Sequence, residues 1–367
     1  MTIGSNIKPR RIAIIGAGGI GLGYFAMLKQ AGHAPVFWSP SGRSTQEFLA
    51  GEALGSSGLV SGIFPTEVAR TSKEAVEGAE IVLIAVPAYG HRSTMESLAP
   101  YLSAGQTVII SGHLSFSALY LSKMLAKRKL EVPIVTLSAP VLVSYRRAPA
   151  TVDVQVLRKS VPAACLPTDS TEEAAKTCSD LFTDRLMWID DLLTGILSNM
   201  NPTVHIANTL CNLTRIERGE KWANFGGMTA AVGHLVEQLD AERLSTAAAF
   251  GRKVLSANQQ MRLWFDLDEG GTFSEMCQTI DIKRGQPPGP TSLDTRHITE
   301  DVPFGAFPLE LLGKIAQVPT PLHSSHIALF SALYRTDFRL ANDLVPALSL
   351  EGRDRKWLID AARFGWH

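Results

Sequence analysis

The chain has 367 residues, with 35 Lys plus Arg against 35 Asp plus Glu, so its formal net charge is zero; hydrophobic residues make up 45% and charged ones 19%. A balanced chain carries no global field for a nucleic-acid backbone or an anionic membrane surface, which excludes both as primary partners, and a composition this apolar supports large buried cores rather than disorder. The length predicts two domains. No apolar run reaches the ~18 residues of a membrane span, and the basic start MTIGSNIKPRR lacks the apolar core of a signal peptide. Four scattered cysteines (Cys165, Cys178, Cys211, Cys277) have no metal or redox spacing, which predicts reduced thiols and a cytoplasmic setting.

In chain order, residues 12–15 form a short apolar run without alternation, as in a parallel strand buried on both faces. Gly16, Gly18 and Gly21 follow in G-x-G-x-x-G spacing, and a helix is predicted from about Gly19 to Ala31, closed by Gly32. After a strand and at the start of a helix, this motif reads as a dinucleotide cradle. Gly16 permits the tight turn, Gly18 the approach of a pyrophosphate and Gly21 close helix–strand packing, while Gly19 and Ile20 lie in the first helical turn, whose N–H groups face the phosphates. The second strand, Ala34–Trp38, ends at Ser39, where a carboxylate would read the ribose of NAD. Ser39, with Arg43 close behind, would accept a 2′-phosphate instead, so NADP(H) is expected ahead of NAD(H).

Alternation then continues: helix 72–77, strand 80–86, a helix to about Leu102, strand 106–111, helix 116–128 and strand 132–137. It predicts a doubly wound parallel sheet of Rossmann type, with Val86, Pro87 and Ala88 at a strand's carboxyl end beside the cofactor. Residues 151–166 predict extra strands, with Trp188 near the end of a first domain spanning 1–189. From about Asp190 helical spacing takes over, with helices over 229–250, 308–316 and 326–334, and residues 190–367 read as an all-helical domain. The stretches 145–150 and 264–289 are read as loops that shape a substrate pocket. His323 and His326 resemble a ligand pair, but no acidic or cysteine partner stands near them, so no metal is expected.

Several segments of the second half form a pattern. N-P-T-V-H at 201–205, L-C-N at 210–212, E-Q-L-D-A-E-R at 237–243, E-D-V-P-F-G at 300–305 and P-T-P at 319–321 occur in one chain with V-P-A-Y-G-H at 86–91 and the glycine motif. Together they resemble the opine dehydrogenases, the group of octopine, nopaline and carboxyalkyl-amino-acid dehydrogenases, over nearly the whole chain. The resemblance implies NAD(P)H-dependent reductive condensation of an amine, usually an amino acid, with a 2-keto acid. By position, His205 matches the family's catalytic histidine and Asp301 the aspartate paired with it, Glu300 being the alternative partner.

The chemistry agrees: an imine accepting hydride needs a proton donor that titrates near neutrality. A carboxylate on the other ring nitrogen would fix the tautomer and favour the imidazolium. A dicarboxylate product calls for cationic anchors, for which Arg296 comes first and Arg146 and Arg147 next. Asn201 is either a helix cap or a substrate contact, and Trp222 and Trp264 either wall the amine or pack a core. Reductases that use a lysine early in the second domain fit poorly, because no lysine lies between Lys176 and Lys221. Imine reduction without condensation and a non-catalytic NADP(H) sensor remain as alternatives. The apolar helical half also suggests a homodimer.

Overall fold

The computed structural model describes residues 8–284 and 286–367, so most of the basic start lies outside the described residues. The chain divides into two compact units, one of residues up to 113, 117–195 and 360–367, the other of 114–116 and 196–359. The expected boundary at 189/190 thus falls a few residues early, and each unit takes a short segment from outside its main span.

The first unit contains strands β1 (Arg11–Ile15), β2 (Ala34–Trp38), β3 (Leu54–Gly58), β4 (Gly62–Phe64), β5 (Ile81–Ile84), β6 (Thr107–Ser111), β7 (Ile134–Leu137), β8 (Leu142–Ala148), β9 (Thr151–Leu157), β10 (Val161–Leu166) and β11 (Leu186–Trp188). One sheet has the order β11-β10-β7-β6-β5-β1-β2. Its run β2-β1-β5-β6-β7 is parallel, while β10 is antiparallel to β7 and β11 parallel to β10. Strands β5, β6 and β7 are buried at every position, as strands covered on both faces must be. The helices of this unit are α1 (Gly19–Gln30), α2 (Gln46–Leu49), α3 (Ser72–Val76), α4 (His91–Leu98), α5 (Ser117–Lys127) and α6 (Thr171–Phe182), and α7 (Leu192–Ser198) carries the chain out of it.

In a second sheet, of order β4-β3-β9-β8, only β9 falls within the extra strands expected over 151–166. Strand β3 reads LGSSG and buries only its first residue, so neither propensity nor alternation announces it. The stretch 145–150, expected as a pocket loop, instead finishes β8 and turns into β9 with bulged antiparallel pairing. β8 lies along α1, where Ser144 Oγ donates to the carbonyl of Gly19 at 2.7 Å. A Cβ on Gly19 would sit 2.8 Å from Ser144 O, so Gly19 admits the second sheet as well as opening the helix.

The second unit is helical: α8 (Asn201–Cys211), α9 (Leu213–Glu217), α10 (Ala230–Ala249), α11 (Ala257–Phe265), α12 (Phe273–Arg284), α13 (Arg296–Thr299), α14 (Phe307–Ala316), α15 (Pro321–Tyr334), α16 (Leu344–Leu348) and α17 (Arg355–Phe364), the last ending among the residues of the first unit. The expected loop 264–289 contains α12, which buries Phe273, Met276, Cys277 and Ile280. Trp222 is buried and donates its indole N–H to Pro290 O at 2.8 Å, anchoring the proline-rich turn rather than walling a ligand. Trp264 is partly buried on α11. Among the described residues, no helix is long and apolar enough to cross a membrane.

Helix α10 is the post around which this unit is assembled. Helix starts leave backbone N–H groups without intrahelical partners, and carboxylates of α10 accept them from three other helices. Glu237 takes Phe273 N–H at 2.9 Å at the start of α12, and Asp240 takes Ala257 N–H at 2.8 Å at the start of α11. Glu242 takes Leu322 N–H at 2.7 Å and His323 N–H at 3.1 Å at the start of α15, together with the His323 ring at 2.7 Å. Arg243, only 2% exposed, balances Asp240 at 2.6 Å and donates to the carbonyls of Leu197 and Leu255. The motif E-Q-L-D-A-E-R is therefore architectural.

Burial alone would raise the Glu242 carboxyl, but hydrogen bonds from the His323 ring and the two backbone N–H groups hold it below its ordinary 4.5. A depressed folded pKa stabilises the native state above the unfolded value and ceases to do so as pH falls through the folded one. Glu242→Ala should therefore lower the unfolding free energy by about 2–3 kcal/mol at pH 7, and the gap to wild type should close below about pH 4.5. Urea denaturation across that pH range checks both; a gap independent of pH would show that Glu242 acts only through packing.

Candidate active site

The candidate cofactor cradle is shaped by close contacts at two glycines and open space over a third. Gly16 has φ 106°, and a Cβ there would lie 2.8 Å from Ala85 O and 2.9 Å from Val86 Cγ1, because β1 and β5 are neighbours. Gly21 has no room for a Cβ against Gly16 O, so α1 can press onto the turn. A Cβ on Gly18, by contrast, would meet nothing within 4 Å, which leaves open space over the loop. The first intrahelical bond, Leu22 N–H to Gly18 O at 2.9 Å, leaves the N–H groups of Gly19, Ile20 and Gly21 ahead of it, with no acidic residue in the first turn. This arrangement fits a dinucleotide pyrophosphate.

Beside it, Val86 and Pro87 lead into a 3₁₀ turn, Ala88–Gly90. His91 is fully buried: its Nε2–H donates to Val86 O at 3.0 Å, and its Nδ1 accepts from Ser117 Oγ at 2.7 Å. Burial pushes this imidazole down to about 4, so it stays neutral as a strut under the turn.

At the end of β2, Ser39 Oγ lies 2.9 Å from Ser44 Oγ and 3.5 Å from Ser41 Oγ. Gly42, at φ 68°, folds this segment into a tight bend from which Arg43 projects, exposed. Arg146, expected at the substrate, is elsewhere. Its guanidinium donates to Ala17 O at 3.3 Å, to Ser44 O at 3.2 Å and to Glu47 at 3.1 Å, stapling the glycine loop to the serine segment. With its donors engaged there, it is corrected from substrate anchor to a brace of the cofactor cradle. Arg147 pairs with Asp153 at 2.8 Å on the second sheet.

In the second unit, Asn201 donates its backbone N–H to Asn199 Oδ1 at 3.0 Å, so Asn199 rather than Asn201 serves the start of α8 and Asn201 stands in its first turn. One turn later α8 presents His205. The chain returns 96 positions on with Asp301, and His205 Nδ1 lies 2.6 Å from Asp301 Oδ2. After Asp301 the backbone widens into a π-helical turn, Val302–Ala306. Gly305 in that turn packs on the ring of Pro202, where a Cβ could not fit. Asn342, fully buried, donates to Pro303 O at 2.8 Å and accepts the Leu344 N–H at 3.0 Å, tying the turn to α16.

Asp301 is 2% exposed. Burial alone would raise its carboxyl, but the charge of His205 and the hydrogen bond from it hold the pKa below the usual value. An ionised carboxylate can only accept, so Nδ1 carries the proton and Nε2 is left for exchange with a ligand. Glu300, the alternative partner, pairs instead with Arg296 at 3.5 Å; the Arg296 side chain is 65% exposed. His297, which the sequence reading passed over, stacks on His205 with ring centroids 3.9 Å apart and planes 13° apart. Its spacing of four from Asp301 was the available signal, since such residues share a helical face.

His323 is held by Glu242, and His326 Nδ1 donates to Leu322 O at 2.8 Å, so the two rings have separate structural partners. Among the described residues, no group of three or more His, Cys, Asp or Glu side chains is placed to hold a metal.

Comparison with known proteins adds the relatives. The model for the alpha-helical domain of NAD/NADP octopine/nopaline dehydrogenases matches residues 188–334, and that for ketopantoate reductase PanE/ApbA matches residues 12–112. An opine dehydrogenase of Arthrobacter sp. (strain 1C) is 30% identical over 94% of this chain and 97% of its own length. D-nopaline dehydrogenase of Agrobacterium tumefaciens (strain T37) is 22% identical over 88% of this chain and 86% of its own. A solved octopine dehydrogenase with NADH and L-arginine superposes with a TM-score of 0.79 at 14% identity, covering 98% of this chain and 100% of that one. NADP⁺-bound yersinopine dehydrogenase gives 0.69 at 14%, covering 98% and 99%.

The contact of Gly305 with Pro202 holds His205 and Asp301 in register, so Gly305→Ala should cost about 1–3 kcal/mol by overpacking. It should also weaken or shift the low-field proton NMR signal of His205 Nδ1–H. Unchanged stability and an unchanged signal would show that this contact does not set the pair's geometry.

Proposed function

The chain belongs to the opine dehydrogenase family and is an NAD(P)-dependent oxidoreductase acting on CH–NH bonds; from that premise we propose that it joins an amino acid or other amine to a 2-keto acid, with His205 and Asp301 as its proton-transfer pair. The observation that carries this reading is the 2.6 Å hydrogen bond from a partly exposed imidazole to a buried, ionised carboxylate. Asp301 holds the tautomer and stabilises the positive charge when His205 is protonated. His205 Nε2 moves two protons in turn from the adding amine nitrogen to the carbonyl oxygen, the first making it a hydroxyl and the second letting it leave as water as the C=N bond forms, and it then passes a proton taken from solvent to the nitrogen as that bond is reduced. The reduced nicotinamide supplies the hydride to that carbon when it is bound. Arg296, exposed and one turn before Asp301, is the candidate fork for a substrate carboxylate, and Asn201 a candidate polar contact.

The finer cofactor reading is a preference for NADP(H). It is supported by Ser39, Ser41, Ser44 and the exposed Arg43 at the end of β2, hydroxyls and a cation suited to a 2′-phosphate, while Arg146 and Glu47 nearby neutralise each other. Four free cysteines, three of them buried, support a reducing, cytoplasmic setting. A homodimer through the helical unit is supported by the half-exposed Leu329 and Leu333, one turn apart on α15; light scattering showing a single 39.7 kDa species would reject it.

Oxidation of NADPH across a matrix of amines and 2-keto acids, beginning with L-arginine and pyruvate, the compounds held by solved octopine dehydrogenases, should proceed only when both organic substrates are present. Turnover with a keto acid or a cyclic imine alone would reassign the reaction to simple reduction. His205→Ala should lower kcat about 10²–10⁴-fold with cofactor affinity nearly unchanged; near-normal turnover would remove His205 from the mechanism. Ser39→Asp should move the kcat/KM ratio towards NADH, and an unchanged ratio would show that this segment does not read the phosphate.

A further inference from the structure

The geometry points to His297 as a positioning residue: its ring supports one face of His205 and, together with Asp301, fixes the direction in which Nε2 points. The inference rests on the role given to His205 above. A single hydrogen bond at Nδ1 pins one corner of the imidazole but still lets the ring rock about the line from Nδ1 to Asp301. A second flat ring, centred 3.9 Å away and inclined by only 13°, blocks that motion on one side. Two constraints of different kind, one at an edge and one on a face, then define the plane.

The support is itself well anchored. Thr295 caps α13, accepting the His297 backbone N–H at Oγ1, and the next residue, Ile298, is completely buried. His297 and Asp301 stand four positions apart, so the face support and the edge anchor belong to one turn of chain and shift together. Burial, with a smaller contribution from neighbouring His205, pushes the His297 imidazole down to about 3, so near neutrality it presents an uncharged face. Such a face tolerates both forms of its neighbour: it packs on the neutral ring and attracts the imidazolium through its π electrons. A lysine or arginine at this position would oppose the protonated state that the reaction must visit.

The test uses the full chain with His297→Ala and His297→Phe, the latter keeping a flat ring without its nitrogens. Thermal melting confirms that each variant is folded. With the substrate pair identified in the matrix, His297→Ala should lower kcat about tenfold while the Kd for NADPH stays within twofold, and the low-field signal of His205 Nδ1–H should broaden or disappear. His297→Phe should restore both kcat and signal. A His297→Ala variant with wild-type kcat and a sharp signal overturns the inference, as does a folded His297→Phe variant as impaired as the alanine, which would mean that the ring's nitrogens and not its face matter. His205→Ala separates the two failures. If it turns over normally, the role of His205 itself is wrong; if it is inactive while His297→Ala is normal, only the positioning role falls.

Discussion

A carboxylate removed from water stays ionised only if a partner compensates for the lost hydration, and Asp301 meets that condition through one short bond to His205. Deleting one member of such a pair leaves a buried charge uncompensated, typically at a cost of about 3–5 kcal/mol. The unusual features of the surrounding chain all serve to keep the pair together. A glycine at 305 lets the π-helical turn touch Pro202, that turn follows directly on Asp301, and a buried amide at 342 holds the turn's carbonyl. On the role proposed for His205, stability and chemistry draw on the same contact, since the bond that makes Asp301 tolerable in the interior also fixes the proton on Nδ1.

The same elementary interaction, a carboxylate accepting N–H groups, recurs on α10 with a different consequence. Glu237, Asp240 and Glu242 face the starts of three helices, where aligned peptide dipoles and unsatisfied donors favour negative charge. In Asp301 the donor is a titratable ring with a second nitrogen open to exchange; on α10 most of the donors are backbone amides that cannot titrate. That difference separates a site from a scaffold more reliably than the presence of an acidic residue in a shared motif. It also explains why E-Q-L-D-A-E-R and E-D-V-P-F-G can mark the same family while doing unlike things.

Much of this was legible in the sequence because the relevant signals are local. An apolar run, a glycine triplet and a helix in immediate succession left little freedom for β1 and α1, and the alternation beyond them specified the parallel sheet. The second sheet was illegible for the opposite reason: β3 and β4 are short, largely exposed and glycine-rich, and their order comes from β9, far along the chain. Arg146 was misplaced on the same account. Its position beside Ala17 and Glu47 follows from how β8 lies on α1, which no local pattern encodes. Family likeness favours Asp301 over Glu300, and the hydrogen bond falls on that residue; His297 carries only its spacing from Asp301 as a signal, because its place against His205 depends on how α13 packs on α8.

The serine segment shows how far local electrostatics can take the cofactor question. Coulomb attraction depends on uncompensated charge, and the guanidinium of Arg146 is matched by Glu47 at 3.1 Å. That pair therefore contributes rigidity more than field, holding the glycine loop and the serine segment at a fixed separation. What is left to distinguish a 2′-phosphate from a 2′-hydroxyl is Arg43 and the hydroxyls of Ser39, Ser41 and Ser44. Because Arg43 is exposed, its attraction is screened by salt, whereas the hydroxyl contacts are short-range and screened far less. On this reasoning, a preference for NADP(H) that rests on Arg43 should weaken as ionic strength rises, and one that rests on the serines should persist, so the salt dependence of the NADPH-to-NADH ratio of kcat/KM separates the two contributions.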